Sequence, residues 1–90
     1  MLFRSEPTLE DGEYALVDPN NTAYVKNKIY VVTYNDEGYI KRVELKEKKK
    51  TITLKSDNPD YDDIDIPEEM QEYFQINGRV VEVISKKKLL

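Results

Sequence analysis

The sequence predicts an all-β fold of small, coiled antiparallel sheets with little helix, and three observations carry that expectation. Segments such as Lys28–Tyr34 and Phe74–Ile84 are rich in β-branched and aromatic residues, which lose χ1 freedom in a helix and pack well on a pleated sheet. Turn residues separate these segments at short intervals. The only stretch with helical signals, Pro67–Phe74, is too short to hold an independent helix.

Taken in order, Asp11-Gly12 marks a tight turn, after which Tyr14–Val17 is a short strand closed by Asp18-Pro19-Asn20-Asn21. Lys28–Tyr34 is the next strand. Asn35-Asp36-Glu37-Gly38 turns the chain, with Gly38 expected in a left-handed conformation, and Tyr39–Leu45 returns. Lys46–Lys50 is too charged to bury and forms an exposed hairpin end leading into the alternating strand Thr51–Lys55. Ser56–Asp60 is a turn in which Ser56 is expected to cap Asp57-Asn58. Ile64–Ile66 is a very short strand, and Pro67 starts a helical turn whose glutamates suit its positive end. Phe74–Ile84 is a long strand with a bulge or bend expected at Gly78, and the basic tail from Ser85 frays.

Ninety residues, 39% hydrophobic and 36% charged, describe one globular domain. There is no run of 18 apolar residues to cross a bilayer and no signal peptide at the start. Without cysteine there are no disulfides, and without cysteine or histidine a zinc site would need carboxylates alone. The aspartates at 57, 60, 62, 63 and 65 lack the glycine and terminal glutamate of an EF-hand loop and read as solvated turns, so no metal or cofactor is expected. Lysine plus arginine number 14 against 18 acids, a net charge of -4, which argues against the domain itself gripping nucleic acid. Arg79 is expected to pair with a carboxylate between Asp60 and Asp65, within the chain or across a dimer.

One residue stands out chemically. Strand alternation puts Lys41 on the more apolar face with Tyr39, Val43 and Leu45, while Ile40, Arg42 and Glu44 face the other way. Two readings are open: a lysine whose stem lies on the sheet while its ammonium reaches water, or a desolvated lysine able to act as a base.

Five segments, in order, then carry a resemblance. They are Glu6–Glu13, Ile29-Tyr30-Val31-Val32, Tyr39-Ile40-Lys41-Arg42-Val43, Leu54–Pro59 and Ile76-Asn77-Gly78-Arg79-Val80-Val81. Together they resemble the carboxy-terminal domain of LexA-like and phage-repressor proteins over nearly the whole chain, from Glu6 to Ile84. The resemblance implies a β domain that follows a helix-turn-helix DNA-binding domain, dimerises, and hydrolyses its own linker with a serine and a lysine related to the pair in bacterial signal peptidases. Lys41 matches the family lysine. Where the family reads Gly-Asp-Ser-Met-Glu-Pro-Thr-Leu, this chain reads Leu2-Phe3-Arg4-Ser5-Glu6-Pro7-Thr8-Leu9, so Arg4 occupies the serine position and Ser5 the next one. Arginine has no nucleophilic hydroxyl, and a one-residue shift in extended chain turns Ser5 to the opposite face unless a bulge corrects it.

The resulting expectation is a dimerisation and regulatory domain over 1–90, with its core at 6–84, belonging to a repressor-type transcriptional regulator that does not cleave itself. The alternative is an autoproteolytic serine-lysine peptidase using Ser5 and Lys41. Expected partners are a second copy, through the apolar run Val80–Ile84, and DNA only through a separate amino-terminal domain, in the cytoplasm and with no membrane contact.

Overall fold

The computed structural model describes residues 2–3, 13–57 and 59–85. The Asp11-Gly12 turn, Arg4, Ser5 and the tail beyond Ser85 lie outside the described residues. The strands are β1 (Leu2–Phe3), β2 (Glu13–Asp18), β3 (Ile29–Tyr34), β4 (Glu37–Lys46), β5 (Thr51–Lys55), β6 (Ile64–Ile66) and β7 (Phe74–Ser85). They form one antiparallel sheet in the order β1-β2-β7-β3-β4-β5-β6, so the last strand is inserted between the second and third. A 3-10 helix, Glu68–Tyr73, connects β6 to β7, and no helix among the described residues is long and apolar enough to cross a membrane. The mostly antiparallel β architecture with little helix is the one the sequence implies.

Both faces of the sheet carry core. Tyr30, Val32, Val43, Leu54 and Ile66 are buried on one face, and Ala15, Val17 and Ile40 on the other. Alternation explains the split, since Tyr30 and Val32 on β3 lie opposite Lys41 and Tyr39 on β4 while Val31 lies opposite Ile40. Met70 of the 3-10 helix packs against the larger cluster. The helix also ties two hairpin ends together: the Gln71 side-chain amide donates to the Lys50 carbonyl at 2.7 Å, and the Asn35 amide donates to the Tyr73 carbonyl at 3.1 Å.

The β3–β4 turn differs from its expectation. Tyr34 pairs with Glu37, leaving a two-residue turn in which Asn35 (φ 49°) and Asp36 (φ 67°) are the left-handed residues. A two-residue turn of this hand matches the twist of its strands and accepts Asn and Asp at both positions. Gly38 is therefore an ordinary strand residue, and an added Cβ there meets nothing within 4 Å.

Gly78 is different. Val31 pairs with Gly78 and Val32 with Ile76, so Asn77 is an extra residue and β7 bends where the sequence signals a bulge. A second irregularity at Val81 follows from Leu16 pairing with Glu82 and Val17 with Val80. Between the two bends, Arg79 is paired on one side with Asp18 and on the other with Tyr30. A Cβ on Gly78 would lie 2.8 Å from the Asp18 carbonyl oxygen, 2.8 Å from Val17 Cγ1 and 3.2 Å from Pro19 Cα.

These two glycines give a paired test. Gly78→Ala forces backbone atoms apart and is expected to cost about 1–3 kcal/mol. Gly38→Ala restricts only the unfolded chain and is expected to stabilise by about 0.4–1 kcal/mol. Urea denaturation of the two variants beside the parent chain reads both values, and similar midpoints for the two would contradict the steric assignment.

Candidate functional site

The alternation of β4 turns Lys41 toward the larger core, and the residue is only 5% exposed. Its ladder partner on β3 is Tyr30, which is fully buried. The Tyr30 hydroxyl accepts from the Val25 amide at 2.6 Å and donates to the Ala23 carbonyl at 3.0 Å, so it fixes the loop ahead of β3. On the other side, Arg42 pairs with Lys55, and the chain leaves the ladder at Ser56, the next position along from Lys41.

Two loops are pinned around this point. Arg42, facing away from Lys41, donates Nε to Asp57 Oδ1 at 3.2 Å and Nη2 to Oδ2 at 3.3 Å, while Nη1 reaches the Asn27 carbonyl at 2.7 Å. The Ser56 amide donates to Asp63 Oδ1 at 2.9 Å. The cap thus runs from Asp63 to the Ser56 backbone, in addition to any local capping that Ser56 itself provides. Asp63 and Asp57 are consequently the carboxylates whose charge reaches Lys41.

Burial pushes Lys41 below the usual lysine value, because an ammonium loses hydration that a neutral amine does not need. The charges of Asp63 and, more weakly, Asp57 act in the opposite direction without cancelling the effect of burial. A lysine in that condition can receive a proton from a hydroxyl brought within about 2.6–3.2 Å. Ser5 and Arg4, the residues expected nearest the nucleophile position, fall outside the described residues; β1, just before them, is separated from β4 by β2, β7 and β3 in the sheet order. Of the two sequence readings of Lys41, desolvation describes its surroundings better than a simple surface excursion.

The model of the family described as Peptidase S24-like matches residues 1–81. The chain belongs to the Peptidase S24-like family. No curated protein matches it. In this S24-like chain, the ladder partner of Lys41 was not evident from sequence: Tyr30 meets it only through strand register. The backbone of Arg79 on β7 lies opposite Asp18 of β2 and Tyr30 of β3, and an arginine–aspartate pair near the turn after β5 is made by Arg42 and Asp57. The aspartates after Ser56 supply a cap and an ion pair, and no group of three metal-ligating side chains occurs among the described residues.

A second feature lies where β7 leaves β3. Beyond Arg79 the strand keeps its pairing with β2 through Ser85 but has no ladder partner on its β3 side among the described residues. Val81 and Val83 are 51% and 41% exposed there. They border an open groove of about 260 Å³ together with Val80, Ile29, Lys28 and Arg42.

The Lys41 environment sets a pH dependence. Because its folded value is lower than its unfolded one, the charged lysine destabilises the fold at neutral pH, and that penalty fades as pH rises through the folded value toward 10.5. Lys41→Met should therefore stabilise the chain at pH 7, with the advantage shrinking toward pH 10.5. Denaturation of both chains across that range checks the sign; a difference that grows with pH would contradict it.

Proposed function

We propose that this S24-like chain is the dimerisation and regulatory domain of a repressor-type transcriptional regulator and does not cleave itself. The observation that carries the reading is the edge of β7 that has no ladder partner among the described residues, where Val81 and Val83 face solvent beside an open groove of mixed apolar and charged lining. A free strand edge presents unused N–H and C=O groups, and an antiparallel pairing of the strand with its own copy satisfies both copies by one two-fold operation. The net charge of -4 supports placing DNA contact in a separate domain and the regulator in the cytoplasm, where a chain without cysteine loses nothing to reducing conditions.

The absence of self-cleavage rests on Arg4, which stands where the family pattern has its serine. One observation favours the second reading, a serine-lysine peptidase using Ser5 and Lys41: the lysine is buried and its proton is loosened, as a general base requires.

Sedimentation equilibrium at tens of micromolar tests the dimer. The chain should sediment at about twice 10.6 kDa, and Val81→Lys with Val83→Lys should return it to a folded monomer. A parent chain that is monomeric at that concentration, or a double variant that dimerises equally well, would overturn the assignment of β7.

A further inference from the structure

Glu82 is the one charged residue in the stretch 80–85, and it sits at the middle of the β7 edge that has no ladder partner on its β3 side among the described residues. When that edge pairs with a second copy, the two-fold axis falls within the same stretch and brings the two Glu82 carboxylates toward each other. Like charges facing one another across an antiparallel pair destabilise it, so the pairing calls for a cation near the axis. We propose that Lys28 supplies it: the Lys28 ammonium of each protomer receives the Glu82 carboxylate of the second copy, and this reciprocal pair selects the partner. The inference rests on the dimer reading given above and names the residues that make the contact specific.

Register puts the two side chains on one face of the sheet. Asp18, Arg79 and Tyr30 lie directly opposite one another on β2, β7 and β3, so their side chains share a face. Two residues back along β2 is Leu16, whose partner is Glu82. Two residues back from Tyr30 is Lys28, whose carbonyl still accepts from the Val43 amide of β4 at 3.3 Å. Lys28 and Glu82 are both exposed, both line the open groove beside the β7 edge, and neither forms an ion pair among the described residues. Within one chain they stand on opposite walls, Lys28 beside β4 and Glu82 on β7, and a strand laid along the β7 edge enters between those walls. Arg42, the other cation of the groove, is opposite Ile29 on the other face and already donates to both carboxylate oxygens of Asp57. Arg79 shares the face of Glu82, but its backbone is enclosed between β2 and β3, away from the open edge. Two chains of net charge -4 repel at long range, and a cation set against the one acid of this edge gives the face its complementarity to a second copy.

The test is charge reversal followed by mixing. In sedimentation equilibrium, Glu82→Lys and Lys28→Glu should each weaken dimerisation about tenfold or more relative to the parent chain, because the two-fold repeats the repulsion in both contacts. An equimolar mixture of the two variants, one of them 15N-labelled, should form the heterodimer in preference to either homodimer in native mass spectrometry, since both of its contacts then join opposite charges. An ion pair made within a single chain gives no such rescue. A parent chain that is monomeric at tens of micromolar would overturn the dimer reading and this inference with it. A parent that dimerises while both single variants dimerise just as tightly, or a mixture with no excess of heterodimer, would overturn the contact between Lys28 and Glu82 and leave the dimer reading standing.

Discussion

The close approach of backbone at Gly78 is the constraint on which the sheet depends. Among the described residues β7 alone pairs with both β2 and β3, and it does so at one place, with Asp18 and Tyr30 on either side of Arg79. That crossing leaves no room for a side chain at Gly78, where the end of β2 presses against the strand. The bulges at Asn77 and Val81 bend β7 on either side of it. One end then completes the β3–β6 portion of the sheet and the other runs out with β2, leaving Val81 and Val83 without a ladder partner on the β3 side among the described residues.

The site inherits its geometry from that crossing. Tyr30 is buried next to it, and the row continues to Lys41 on β4. A lysine placed among Tyr30, Val43 and Tyr39 sacrifices hydration, and the fold tolerates this because the loss is partly answered by Asp63 and Asp57. Such an arrangement lowers stability locally, and a purely structural position would be served better by an apolar side chain of similar length.

Much of the architecture was legible in the residues because the relevant signals are local. The β-branched runs at Ile29–Tyr34 and Thr51–Lys55, the bulge at Gly78 and the inward direction of Lys41 follow from side-chain stiffness and a period of two. The β3–β4 turn was displaced because Gly38 is the stronger left-handed signal, whereas Asn35 and Asp36 can both adopt that conformation when the loop has two residues. Sheet order was not legible. The insertion of β7 between β2 and β3 depends on pairings between distant segments, as do the contacts of Arg42 with Asp57, fifteen residues away, and of Asp63 with Ser56. The family was legible from five ordered segments, and the departure at Arg4 from the residues just ahead of the first of them.

We propose that Lys41 persists here without self-cleavage, because Arg4 stands at the family's serine position. The most direct measurement is mass spectrometry of a peptide carrying the linker of a self-cleaving family member, incubated with the chain at neutral and alkaline pH beside its Ser5→Ala and Lys41→Ala variants. The account predicts an intact peptide in every case, including at a pH where Lys41 is a neutral amine. Cleavage by the parent chain that disappears in both variants would contradict it and make Ser5 the nucleophile.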